Sequence, residues 1–279
     1  LDAASFNEGY WVGIGGRILQ IAFAEKGDLQ TNHLAVRQVG ATTIFRPVYR
    51  SDLVPAVAPR GYVHTYPASR LHANPIATLT AERSGLESHA DVAFNPWYSR
   101  QFAVVDDFGS WSTWEFEGGY KKDSCARLIQ GKRANIYDGF APDSGLKKPN
   151  NADGWHKVLW AGNLSTIVVC NRRHLAVFDV KSAPTRIQTK NFFAARNSDW
   201  ILDLKRSPSN LGHLFVLTSS RIFWLEIIPD GEGENGDIGF RIFLSYRHFR
   251  DPNDETLRLV ILKGDEGKNY ALNFTSFTN

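Results

Sequence analysis

Three stretches of equal length decide the fold: FAVVDDFGSWSTWE (102–115), TIVVCNRRHLAVFD (166–179) and HLFVLTSSRIFWLE (213–226). Laid over one another, they align without a gap. Val104, Val168 and Phe215 share one column, and Trp111, Leu175 and Ile222 share another. At the centre stand Phe108-Gly109, Arg172-Arg173 and Ser219-Ser220, each read as a two-residue hairpin turn. The ends agree as well: Trp114-Glu115, Phe178-Asp179 and Leu225-Glu226 each set a large apolar residue before an acid. One hairpin template used three times marks a repeat architecture.

The flanks extend each hairpin. Before them lie short apolar runs at 91–94, 155–160 and 200–204; after them lie 126–129, 186–190 and 240–246. All are rich in β-branched and aromatic residues and bounded by Gly, Asn, Asp, Ser or Pro, the pattern of strands and turns. That gives four strands per unit. A looser first unit runs through 18–23, 34–39, 42–48 and 76–80, and a fifth begins at 257–262 and continues through 270–274. No stretch carries an apolar stripe of helical period and length. The fold class is therefore all-β: a WD-like β-propeller of four-stranded antiparallel blades with long inter-strand insertions. Residues 1–279 are read as a single β-propeller domain with about five blades legible, a fragment of a longer protein. Further blades come either from irregular segments such as 50–90 or from outside the chain.

A blade packs on both faces, so its inner strands are continuously apolar rather than alternating. Trp97, Trp111, Trp114, Trp160, Trp200 and Trp224 hold fixed places in the repeat and are assigned to the wedges between blades. Segments 50–74, 139–153 and 229–239 have loop composition and read as insertions on the rims.

Composition sets the class. The chain has 43% hydrophobic and 22% charged residues, an ordinary globular mix, with no methionine and two cysteines, Cys125 and Cys170. Two cysteines are too few for a disulfide framework or a Cys-rich zinc site, and a reducing compartment is the simpler setting. The net charge of +3 hides a division. Residues 1–120 carry 9 Lys/Arg against 12 Asp/Glu, 121–206 carry 16 against 7, and 207–279 carry 7 against 10. Much of the basic excess falls in pairs at loops: Lys121-Lys122, Lys132-Arg133, Lys147-Lys148, Arg172-Arg173 and Lys205-Arg206. These ten residues are the candidate contacts to DNA phosphates or to a protein partner, gathered in this reading onto one sector of the propeller. The alternative is plain solvated loop charge.

Catalytic chemistry finds no foothold. Gly13-Ile14-Gly15-Gly16 lacks phosphate-loop spacing and reads as a turn. Eight scattered histidines form no metal motif. Asp91, Asp106 and Asp107 are more simply turn-forming residues than an acid–base pair. The triplets at Asn163 and Asn273 match the glycosylation pattern, which carries no weight in a reducing compartment. No catalytic residue, cofactor or metal is expected.

The strings LAVRQVGATTIFRPVY (34–49), ADVAFNPWYSRQFAVVDDFGSWSTWEFE (90–117), DGWHKVLWAGNLSTIVVCNRRHLAVFDV (153–180), DWILDLKRSPSNLGHLFVLTSSRIFWLEI (199–227) and LSYRHFRDPNDETLRLVIL (244–262) resemble the propeller-bearing subunit of the fungal RNA polymerase I core factor. The resemblance runs from about Gly9 onward. It implies a non-enzymatic transcription initiation factor of the nucleus and nucleolus. The implied partners are the other core factor subunits, RNA polymerase I and the ribosomal DNA promoter. Two other classes stay open on the residues alone: a propeller enzyme or small-ligand binder using the central channel, and a WD-like peptide-binding adaptor. Convergent carboxylates or histidines at the inner strand starts would favour the first, and purification from nuclei would separate the second.

Overall fold

The computed structural model describes residues 17–26, 29–54, 69–85, 87–119, 125–138, 153–181, 185–187, 199–228, 239–263 and 270–275. The chain is nearly all strand. In order come β1 (Ile18–Lys26), β2 (Leu29–Gln38), β3 (Ala41–Phe45), β4 (Val48–Val54), β5 (Ser69–His72), β6 (Pro75–Thr80) and a single helical turn, α1 (Ala81–Ser84). Then follow β7 (His89–Phe94), β8 (Gln101–Asp106), β9 (Ser110–Gly118), β10 (Ala126–Asn135), β11 (His156–Trp160), β12 (Thr166–Asn171), β13 (Leu175–Asp179) and β14 (Thr185–Ile187). The last are β15 (Ile201–Arg206), β16 (His213–Thr218), β17 (Arg221–Ile228), β18 (Gly239–Arg247), β19 (Arg258–Lys263) and β20 (Tyr270–Thr275).

These strands form four four-stranded sheets, β1-β2-β3-β6, β7-β8-β9-β10, β11-β12-β13-β14 and β15-β16-β17-β18, with two-stranded sheets β4-β5 and β19-β20. The pairings are antiparallel. The chain divides into two compact units, Leu1–Arg133 and Ala134–Asn279. Segment 50–74 is not only loop, since β4 and β5 pair within it, yet it supplies no further four-stranded blade among the described residues. The expected strand over 42–48 is broken in two. Pro47 has no N–H to give a ladder and holds Arg46 extended, so β3 stops at Phe45 and the chain leaves for another sheet.

The three template hairpins differ in one detail. The N–H groups of Asn95, Ala161 and Ser207 donate to the carbonyls of Gln101 (2.8 Å), Thr166 (3.2 Å) and His213 (2.9 Å). Those of Phe116, Val180 and Ile227 donate to Arg100 (3.1 Å), Ser165 (2.8 Å) and Gly212 (2.8 Å). Gln101, Thr166 and His213 are therefore structural equivalents, one residue away from the gapless alignment, whereas Glu115, Asp179 and Glu226 keep their common column. The slip lies in the turn. Arg172-Arg173 and Ser219-Ser220 are two-residue tips, closed by Cys170 opposite Leu175 and by Leu217 opposite Ile222. The first hairpin closes at Val105 opposite Trp111 and needs a wider tip, Asp107-Phe108-Gly109. Asp106 Oδ1 accepts the N–H groups of Phe108 (2.9 Å) and Ser110 (2.8 Å), and Gly109 takes φ 78°, which only glycine adopts without strain.

Cores lie between neighbouring sheets. In the first unit Ala35, Ile44, Ile76 and Leu79 of one sheet pack with Phe94, Phe102, Trp114, Phe116 and Leu128 of the next. In the second, Leu202, Phe215, Leu217 and Ile222 pack with Leu257 and Leu259 at β19. All six residues of β12 are buried, as a strand packed on both faces requires. Trp111, Trp114 and Trp160 are buried, while Trp97, Trp200 and Trp224 are half-buried.

Candidate interaction surface

Neighbouring sheets are tied by polar side chains on their first strands. In the first unit the Gln20 amide docks on one residue of β7: Nε2 donates to the Val92 carbonyl (3.0 Å) and Oε1 accepts the Val92 N–H (3.2 Å). Arg37 braces that amide, donating from Nε to Gln20 Oε1 (3.1 Å) and from Nη1 to the His89 carbonyl (2.6 Å). His89 itself is sealed in. Ser84 gives its one hydroxyl proton to the Ala81 carbonyl (2.8 Å), so it can only accept from His89 Nε2 (3.1 Å). Nδ1 then bears the lone pair and accepts from the Thr42 hydroxyl (3.0 Å). Burial first, and the Arg37 cation second, bring the His89 pKa down to about 4.

In the second unit Asp203, in the middle of β15, plays the corresponding part. Its Oδ1 meets Lys157 Nζ of β11 at 2.9 Å, and its Oδ2 accepts the Leu259 N–H of β19 at 3.0 Å. Burial works to raise this carboxyl, but Lys157, Lys205 and the Leu259 N–H outweigh it and hold it below its ordinary value. Neither tie was among the sequence's candidates. The available signal was a polar residue inside an apolar strand: His89 in HADVAF and Asp203 in ILDLKR.

The basic pairs fall into three groups. Lys121, Lys122, Lys147 and Lys148 lie outside the described residues, as does Gly13-Ile14-Gly15-Gly16. Two half-buried arginines are drawn into inter-sheet contacts, and exposed Arg173 reaches one as well, its Nη1 donating to the Asp199 carbonyl (3.4 Å). Arg172 Nε pairs with Asp153 (2.6 Å), its Nη1 donates to the Ile201 carbonyl (3.1 Å), and its guanidinium stacks 4.5 Å from the Trp155 ring. Arg206 Nη1 donates to the Trp160 carbonyl (3.0 Å). Arg133, Arg173 and Lys205 are exposed, and Lys132 is half-buried on β10.

Nor do the pairs of the second unit share one rim. Arg172-Arg173 sits where β15 begins, since the Ile201 N–H donates to the Arg172 carbonyl (2.8 Å). Lys205-Arg206 ends the same strand, beside the end of β11. A strand of six residues separates them, roughly 17 Å. Among the described residues, then, one strand carries these two pairs to opposite ends.

Of Asp91, Asp106 and Asp107, Asp106 takes a defined turn role. Asp106 holds the β8–β9 tip and also accepts the Glu87 N–H through Oδ2 (3.3 Å). Asn163 Oδ1 accepts from the Ser165 N–H (2.9 Å), the Ser165 hydroxyl (3.1 Å) and the Thr166 hydroxyl (2.8 Å), an Asx turn closing the a glycosylation-like triplet onto itself. Asn171 Oδ1 repeats the device at the second tip, accepting from Arg173 (2.8 Å) and His174 (2.7 Å). What each unit offers is a set of cross-tied sheets with short, side-chain-locked tips.

Comparison with known proteins gives this architecture a context. The family described as Rrn6, beta-propeller, matches residues 2–279. The RNA polymerase I-specific transcription initiation factor RRN6 of Saccharomyces cerevisiae is 30% identical over 175 residues, covering 62% of this chain and 17% of that protein. A crystal structure of the S. cerevisiae core factor contains a chain that superposes with TM-score 0.59 and 17% identity, over 93% of this chain and 36% of that one. At that identity the superposition speaks for the fold. The chain thus spans 17% of the length of the relative and 36% of the length of the solved chain.

Proposed function

Because the chain belongs to the Rrn6 β-propeller family, we propose that it is a non-enzymatic scaffold of an RNA polymerase I core factor. In this reading residues 1–279 are parts of a single propeller that works in the nucleus and nucleolus. It holds the other core factor subunits and helps assemble the initiation complex with RNA polymerase I on the ribosomal DNA promoter. The family match over residues 2–279 is the observation that carries the reading. The inter-sheet ties support it, since Gln20–Val92 fastens sheets of the first unit and Lys157–Asp203–Leu259 fastens sheets of the second, each unit being suited to presenting its tips. Exposed Arg133, Arg173 and Lys205, with Lys121, Lys122, Lys147 and Lys148, are the candidate phosphate contacts.

Affinity purification of the tagged full-length protein from nuclei tests the assembly. Recovery of RNA polymerase I and of initiation factor subunits is expected, and their absence would overturn it. For direct DNA contact, Arg173→Glu and Lys205→Glu should each shallow the salt dependence of promoter binding by about one unit of slope per lost phosphate contact. An unchanged slope would assign these residues to solvent or to a protein partner.

A further inference from the structure

The outer strand of the fourth sheet is not built like a solvated one. β18 buries Gly239 and Phe240, half-buries Arg241, and then exposes every residue from Ile242 to Arg247. Four of those six are large and apolar: Ile242, Phe243, Leu244 (54% exposed) and Tyr246 (61%), with Phe249 (81%) just beyond. By contrast β10, the outer strand of the second sheet, turns Arg127, Gln130 and Arg133 outward. β18 is last in its sheet, with β17 on one side and no ladder partner on the other among the described residues. A free strand edge is commonly guarded by lysine, proline or an inward charge. Between Ile242 and Tyr246 the only polar residue is Ser245.

A rim of positive charge borders the strip. Arg241 is answered by Glu226 at 2.6 Å. The Arg221 guanidinium donates to the Ser245 hydroxyl (3.0 Å), and among the described residues no carboxylate pairs with Arg221, Arg247 or Arg250. The strip is also shaped. Leu244 lies opposite Trp224 and Ile242 opposite Leu225, so Phe243 bulges between them. Its ring is held edge-on, 5.6 Å from Trp224 and 5.4 Å from His213.

We propose that the outer edge of β18 is a docking strand for an extended segment of a partner protein in which apolar and acidic side chains alternate. The free backbone edge supplies the ladder, Leu244 and Tyr246 take the apolar side chains, and Arg221, Arg247 and Arg250 take the acids. A second copy of this chain is a poor occupant, because antiparallel pairing of two β18 strands about Leu244 sets Arg241 against Arg247. Single-stranded nucleic acid would use the arginines and rings, but would leave Ile242, Leu244 and the backbone edge unmatched. This surface stands on its own geometry, whichever assembly the chain joins.

The test uses the full chain with a fluorescent peptide of alternating valine and glutamate, its valine–lysine counterpart, and a single-stranded DNA oligonucleotide, read by anisotropy. The acidic peptide should bind and the lysine peptide should not. Leu244→Lys, which installs an edge guard at an exposed position, should weaken binding about tenfold, and so should Arg247→Glu. Thermal unfolding of both variants should match the parent, and if one fails to fold the other still decides. No binding of the acidic peptide would overturn the proposal. So would equal binding of both peptides, preferential binding of the DNA, or sedimentation showing self-association that Leu244→Lys abolishes.

Discussion

Lowering the pH should weaken the first unit through His89. The ring is 1% exposed, its Nε2 proton is fixed on Ser84 and its Nδ1 lone pair on Thr42, with the Arg37 guanidinium donating to the carbonyl of the same residue. Its pKa in the folded chain is about 4, against 6.5 for a free histidine. Between those values the unfolded chain takes up a proton that the folded chain refuses. Stability contributed by the neutral ring is therefore full above pH 6.5 and falls steadily towards pH 4, below which both states are protonated. At 1.36 kcal/mol per pH unit the whole window amounts to about 3 kcal/mol, and at pH 5 about 2 kcal/mol is already lost.

The measurement is urea unfolding followed by tryptophan fluorescence at pH 7, 6, 5 and 4, on the parent and on His89→Gln. The amide keeps a donor for Ser84 and removes the titrating ring. His33, also lowered to about 4 by burial and by Arg46 and Arg100, is present in both proteins and cancels in the difference. The variant should start less stable at pH 7 and lose about 2 kcal/mol less than the parent between pH 7 and pH 5. Parallel losses in the two proteins would refute the assignment of His89 as a buried neutral ring.

Four substitutions follow from packing. Trp114 is 3% exposed in the core shared by the first two sheets, and its Nε1 donates to Ser112 (2.8 Å), so Trp114→Ala should cost roughly 3–5 kcal/mol in chemical denaturation. A parent-like melt would sink the placement. Gly131→Ala sets a Cβ 2.5 Å from Thr113 Oγ1, a buried β-branched side chain that also accepts the Lys132 N–H at 2.8 Å. A loss of about 1–3 kcal/mol is expected, and a neutral result would place β10 further from β9. Arg172→Ala should destabilise the second unit by about 1–3 kcal/mol, whereas Arg173→Ala should stay within about 0.5 kcal/mol. Equal effects in thermal melts would deny the internal role of Arg172.

What the sequence could carry followed from how local each signal was. The strand carrying Glu115, Asp179 and Glu226 is in register across all three hairpins because its pattern is fixed by neighbours two and four residues away. The preceding strand was one residue out, because Asp106 builds a wider tip from side-chain bonds that an apolar pattern does not record. Long-range partners were illegible for the same reason. Arg172 and Arg173 look alike as a pair of charges at a tip, yet contacts to Asp153, Ile201 and Trp155 half-bury Arg172, while Arg173 reaches the Asp199 carbonyl and the Trp200 ring from an exposed position. The apolar run over 240–246 was legible as the fourth strand of its sheet, and β18 spans it. A run of apolar residues states only what a strand could bury, and the sheet order decides whether anything is there to bury it. Where that order leaves an apolar edge uncovered among the described residues, as at β18, the run argues for the docking strand proposed above, and the arginines beside it set the sign of charge its occupant is expected to bring.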